Sequence, residues 1–385
     1  MSDTTQKVGG GAINEKQRKF QEDDSRSGPE KEFKTFNPNS RSHLLHAIEG
    51  LDRYPAYLNR WSEDDITLLE ESLENQLKKV RQQKEAIQGK RTSLKTVVEN
   101  LCKKEPEWLE FLTPPKSWEE LKSNILDERI AEAVFRSRWF RRSQKQSSAV
   151  GVQDVVDGSE KVEIDAGNLE PVMDEEMFDV YSFPLLAPSF CLKLRSYFRR
   201  VIQELEEYKD ESSLRRGFQD LDNLGLSWLN SLLLHLIVRP ISNHLYSETE
   251  LKGGDLDWRQ GYIAAYSADP TATKPRQRLV PHTDDSEITL NVGIGEEFSG
   301  GLLNFWGLRG TTEAGRLVGQ YEPVIGRALI HSGRHFHEVT EITSGNRFAY
   351  ILWARSWAAV RSTICPCCWL NRRDDGSCIC GSKWN

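Results

Sequence analysis

The chain has 385 residues, enough for one large domain and a second region, and its 38% hydrophobic content includes 11 Trp and 15 Phe with which to build a core. A formal net charge of −7 and a pI near 5.8 exclude a polycation that coats nucleic acid along its whole length. There is no long apolar run and no apolar stretch behind the N-terminal Met, so neither a transmembrane helix nor a secretory signal is expected, and the default compartment is cytoplasmic or nuclear.

Residues 1–40 are rich in Gly, Lys, Glu and Ser with few aliphatics, a composition that predicts a disordered N-terminal segment. A mostly helical accessory region is expected over 41–142. Ser62 stands three residues before Asp65, the spacing of a capping box. Ile66, Leu73, Val80, Ile87, Leu94 and Leu101 then recur every seven residues, but the companion positions Leu69, Gln76, Gln83, Lys90 and Val97 are mostly polar. One narrow apolar stripe predicts a helix packed on one side, or a self-association arm, rather than a long two-stranded coiled coil. Gly89 is a point where that helix could fold into a hairpin. The stretch "FRSRWFRRSQK" (135–145) mixes arginines with aromatics; it reads as a solvated helix end ahead of a nucleic-acid contact. Residues 143–172 are polar and acidic, which predicts an exposed linker.

The chain changes character over 173–362. "FDVYSFPLLAPSFCLKLRSYFRRVIQELEEY" reads as strand, turn and amphipathic helix, and a second helix fits 225–247. Short apolar runs punctuated by Gly, Pro or Asp follow: "QGYIAAYS", "SEITLNVGI", "GGLLNFWG", "GRALIHSG" and "RFAYILWARS". Helices followed by closely spaced strands predict an α+β fold, a double-stranded β-helix (jelly-roll) core backed by helices. The glycines of "VGIGEEFSGG" lack dinucleotide-binding spacing and no helix follows them.

Four of the eight histidines, His282, His331, His335 and His337, lie in this region. His282 and Asp284 form H-x-D, and on an extended segment such residues face one side. A third ligand from another strand would complete two imidazoles and one carboxylate on one face of a metal, the facial triad of non-haem Fe(II) oxygenases. The metal would offset the charge of Asp284, which otherwise lies unpaired at the start of a core strand. His331, His335 and His337 share parity, so alternation leaves all three open as the third ligand.

From about 175 to 370 the sequence resembles the 2-oxoglutarate- and Fe(II)-dependent dioxygenases of the prolyl-hydroxylase type, through "GYIAAYS", "HTDDSEITLNVGI", "FSGGLLNFWG" and "HSGRHFHEVTEITSGNRFAYILWAR". Within them it is similar to the subgroup named "2-oxoglutarate and iron-dependent oxygenase domain-containing", which has a similar H-x-D-x-x-E-x-T-L-N-V strand and a Cys-Pro-x-Cys-Cys segment after the last strand. The resemblance implies that the distal ligand precedes a basic co-substrate residue by ten positions. His337 and Arg347 have that spacing, whereas His335 and His331 do not. His282, Asp284 and His337 are then the expected Fe(2+) ligands. Arg347 would grip the distal carboxylate of 2-oxoglutarate with two parallel hydrogen bonds. Tyr266 stands where the family often has a tyrosine near the co-substrate. Asn291 shares a face with Thr289 and is expected to line the pocket. His335 is a further candidate for touching substrate.

The expected chemistry is oxidative decarboxylation of 2-oxoglutarate to succinate and CO2 with O2, coupled to hydroxylation of a prolyl or lysyl residue in a protein; ascorbate is a candidate accessory. An inactive oxygenase-like scaffold and a metal jelly roll of unrelated chemistry are the alternatives, and nucleic-acid demethylation, motivated only by the arginines near 140, is weaker. In the tail, 363–385, Cys365 with Cys368 and Cys378 with Cys380 offer four thiolates for a structural Zn(2+), with free structural thiols and redox sensing as the alternatives.

Overall fold

The computed structural model describes residues 62–145, 149–207, 218–269, 276–295 and 297–361. The expected disordered segment and the cysteine tail lie outside them. The chain divides into two units, Met1–Gln83 and Lys84–Asn385. Helix α1 (Glu63–Lys104) crosses that boundary and runs unbroken through Gly89, against the hairpin expectation. A glycine inside a helix costs about 1 kcal/mol, too little to interrupt one of this length. In the second unit Leu94, Val97, Val98 and Leu101 are buried, the i, i+3, i+4, i+7 face of an amphipathic helix.

Four short helices follow: α2 (Glu107–Phe111), α3 (Trp118–Asn124), α4 (Glu128–Phe135) and α5 (Arg138–Ser143). Ser117, Asp127 and Ser137 cap the last three by accepting from free backbone N–H groups of the first turn. The aromatics of the basic stretch are structural. Phe135 and Phe140 stack edge-on to each other at 4.7 Å and to Trp118 at 6.0 and 5.3 Å, while Arg138 pairs with Asp165.

The segment expected to be an exposed linker is packed. It forms α6 (Val152–Val156) and α7 (Ala166–Leu169), and Val150, Val152, Val155, Val156, Val162, Ile164 and Leu169 join the main core. Its valines supply enough apolar surface to hold it down despite the polar residues between them.

Among the described residues, twelve strands form two sheets. In the larger, β1 (Asp174–Met177), β2 (Val180–Pro184), β10 (Arg327–Ser332), β6 (Ile288–Gly293), β12 (Ile342–Arg355), β4 (Trp258–Ser267) and β3 (Phe218–Asp220) lie side by side, with β7 (Phe298–Gly300) also pairing β12. The smaller runs β5 (Leu279–His282), β11 (His335–Val339), β8 (Leu303–Leu308), β9 (Gly319–Tyr321). All these pairs are antiparallel.

Alternation assigns the faces. Ile288, Leu290, Val292, Tyr350, Leu352 and Ala354 point to the helical side, where α8 (Pro188–Glu207), α9 (Ser227–Leu233) and α10 (Arg239–Leu245) bury them. A π-helical turn, Leu234–Val238, joins the last two. Ala264, Tyr266, Leu329, Ala349 and Ile351 point the other way and pack with Leu303, Phe305 and Val339 of the smaller sheet. This is the double-stranded β-helix backed by helices. No helix among the described residues is long and apolar enough to cross a membrane.

Candidate active site

The H-x-D segment starts on the last residue of β5 and ends just beyond it, and β5 pairs with β11 so that His282 lies directly across from His337. One nitrogen of each histidine and one carboxylate oxygen of Asp284 lie within 4.8 Å of one another. His282 Nε2 is 3.5 Å from Asp284 Oδ1, and His337 Nε2 is 3.7 Å from Asp284 Oδ2.

The far side of each ring is fixed by the backbone. Nδ1 of His282 meets the Val280 carbonyl at 2.9 Å and Nδ1 of His337 meets the His335 carbonyl at 3.0 Å. With Nδ1–H donating there, the Nε2 lone pairs face inward, the tautomer a metal ligand needs. Asp284 is held likewise: Thr289 Oγ1 donates to its Oδ2 at 2.7 Å, Ser286 Oγ shares a hydrogen bond with Thr289, and the Asp284 N–H donates to Gly333. Burial by itself would push this carboxyl up; with no metal between them, the charge His337 carries when protonated and the hydrogen bond a protonated His282 donates outweigh it and hold it well below the usual carboxylate range. Two imidazoles and one carboxylate on one side of a point are the donor set of a mononuclear Fe(II) site with open positions.

The remaining histidines lie close by. His331 on β10 is buried, its ring centre 5.0 Å from that of His337, and its Nδ1 is bonded to the Ser332 carbonyl. Burial holds its pKa down to about 3, so it is neutral. His335 bonds the Phe178 carbonyl through Nε2, and burial brings it to about 4.

Arg347 opens the inner run of β12, in register with Tyr266, and its guanidinium carbon lies 5.2 Å from the Tyr266 ring centre. It is only 1% exposed, yet Nε and Nη2 find no acceptor among the described residues. A buried cation with idle donors costs several kcal/mol unless a ligand satisfies it. A carboxylate matches that fork, so the distal carboxylate of 2-oxoglutarate fits the residues present.

Asn291 lies on the Thr289 face, as expected, and is 9% exposed. Sequence reasoning missed the wall beside it. Trp353 is in register with Thr289, meets Tyr262 edge-on at 5.4 Å, and its buried Nε1 has no acceptor among the described residues. The parity of Trp353 with Arg347 was the available signal. The four tail cysteines lie outside the described residues.

No family model matches the chain. It is 30% identical over 198 residues to "2-oxoglutarate and iron-dependent oxygenase domain-containing protein 2" of Xenopus tropicalis, covering 49% of this chain and 52% of that protein. It is 32% identical over 202 residues to "2-oxoglutarate and iron-dependent oxygenase domain-containing protein ICU11" of Arabidopsis thaliana, covering 49% and 48%. It is 27% identical over 203 residues to "Multifunctional procollagen lysine hydroxylase and glycosyltransferase LH3" of Rattus norvegicus, covering 47% of this chain and 24% of that protein. The chain spans about half the length of the first two relatives. Over that matched half, the chain is a homologue of the proteins named 2-oxoglutarate and iron-dependent oxygenase domain-containing.

Proposed function

We propose that the chain is an Fe(II)- and 2-oxoglutarate-dependent dioxygenase that hydroxylates a lysyl or prolyl residue of a protein. The observation that carries this reading is the pairing of a His-Asp-His cluster with a buried guanidinium whose donors are idle. Bound iron and 2-oxoglutarate would supply the oxidising power, with O2 consumed, 2-oxoglutarate converted to succinate and CO2, and a substrate C–H converted to C–OH. His282, Asp284 and His337 would hold the metal through Nε2, a carboxylate oxygen and Nε2. Arg347 would fix the co-substrate by its far carboxylate, and Tyr266, stacked beside it, limits where the guanidinium can swing. Thr289 keeps the Asp284 carboxylate aimed at the metal. The inner apolar faces of the two sheets exclude water from the reacting atoms. The lysine hydroxylase among the relatives motivates the lysyl substrate, and the resemblance to prolyl hydroxylases the prolyl one.

The test is succinate formation by the full chain with Fe(II), ascorbate, O2 and 2-oxoglutarate, first alone and then with lysyl or prolyl peptide libraries. Succinate that disappears in His337→Ala, with a peptide gaining one oxygen atom, is the expected result. If neither succinate nor anaerobic binding of 2-oxoglutarate to the metal-loaded chain is found, the oxygenase reading is wrong and a scaffold role takes its place.

A further inference from the structure

Tyr266 is shared by two cations. Besides Arg347, the guanidinium carbon of Arg276 lies 4.9 Å from the Tyr266 ring centre. Arg276 is half-buried, six residues ahead of His282, and its backbone is fixed by the Ser267 N–H donating to its carbonyl at 3.1 Å. Its neighbour Gln277 is fixed in turn by the Ile342 N–H, so the segment is tied to both β4 and β12. Among the described residues no carboxylate lies within ion-pair distance of Arg276 or Arg347. Two guanidiniums on one phenol ring repel each other, and the ring quadrupole offsets only part of that repulsion. The arrangement therefore lacks an anion. The positive charge of Arg276 also bears on His282, Tyr262 and Arg347.

We infer that Arg276 is a second co-substrate-positioning residue, whose guanidinium binds the distal carboxylate of 2-oxoglutarate together with Arg347. This rests on the proposed function and deepens it. One buried arginine satisfies two lone pairs of a carboxylate, and the remaining lone pairs need another donor once water is expelled. Arg276, half-buried on the same tyrosine ring, supplies it.

The test uses the full chain loaded with Mn(II) without oxygen, titrated calorimetrically with 2-oxoglutarate and, separately, with 2-oxobutyrate. Both are 2-oxo acids able to chelate the metal, but only the first has a distal carboxylate. Arg276→Gln is expected to weaken 2-oxoglutarate about tenfold and leave 2-oxobutyrate unchanged, with Arg276→Lys recovering part of the loss. Equal weakening of both acids, or no weakening of either, would overturn the assignment. If the wild-type chain binds 2-oxobutyrate and 2-oxoglutarate equally, no distal grip exists and the assignment falls. Failure of wild type to bind either acid with Mn(II) in place would instead count against the oxygenase reading itself.

Discussion

The two ends of the candidate site treat buried charge in opposite ways. At the metal end, Asp284 is surrounded by groups the protein provides: the Thr289 hydroxyl, two imidazoles, and backbone carbonyls that orient those imidazoles. At the other end Arg347 is as deeply buried, but two of its donor atoms are idle and its neighbours are an aromatic ring and a second cation. A metal site must keep its geometry before the ion arrives, because ligands that wander cost affinity. A co-substrate site gains from being unsatisfied, because the ligand then supplies the missing partner and its binding energy is not spent on displacing one.

The largest expected effect would break the metal end outright. His337→Ala or Asp284→Ala should abolish tight Mn(II) binding, measured by electron paramagnetic resonance, and succinate formation with it. Residual tight binding would mean that the metal lies elsewhere.

Arg347→Met separates the two ends. 2-Oxoglutarate affinity should fall by about 100-fold or more, since two charge-assisted hydrogen bonds are lost. The ligand-free chain should become more stable by about 1–3 kcal/mol in denaturant melts, because an uncompensated buried cation is replaced by an apolar chain of similar length. A loss of stability would show that Arg347 is satisfied in the free protein and would remove the contrast.

Thr289→Val is the milder test of the metal end. It deletes the hydroxyl that donates to Asp284 while keeping a β-branched shape that suits β6, and Mn(II) affinity should drop about 10–100-fold with the fold intact.

Asp179 offers a control, a carboxylate with burial but without the donors that Asp284 enjoys. Burial, then the charge of Glu250, pushes it up from 3.8 to about 7. The folded chain thus holds this proton more tightly than the unfolded chain, so stability falls as pH rises from about 4 to about 7. Asp179→Asn should remove that loss, raising stability above pH 7 by on the order of 1 kcal/mol, discounted for partial exposure, and by nothing near pH 4. The backbone there has φ of 64°, which Asn tolerates as well as Asp. A stability gain independent of pH would show that the carboxylate is not the cause.

Much of the strand framework was legible because each inner strand alternates between two buried faces, so Ala349 and Ile351 placed Arg347 inside without any coordinates. The joining of His282 to His337 was not legible from alternation, since His331 and His335 share the same parity and all three are buried. The ten-residue spacing to Arg347, taken from the family resemblance, picked out His337, and the register of β5 against β11 sets that residue across from His282. The packed segment around Val152 was misread because polar residues outnumber its valines, although Val152, Val155 and Val156 have helical spacing. Arg276 left no mark in the sequence: its significance comes from a ring that folding brings beside it, and no local pattern encodes that.

The pairing of His282 with His337 has a consequence for how the chain matures. These residues are 55 apart in sequence, and their alignment requires β5 to dock on a strand that itself follows β6, β8 and β10. Contacts that close loops of this size are made after local ones, because the entropy of closure must be met first. The nascent chain therefore has only H-x-D, a weak bidentate ligand, until the small sheet is assembled. A metal at this site would therefore be captured only once the small sheet is assembled, because a chain in which β11 has not paired lacks the third ligand.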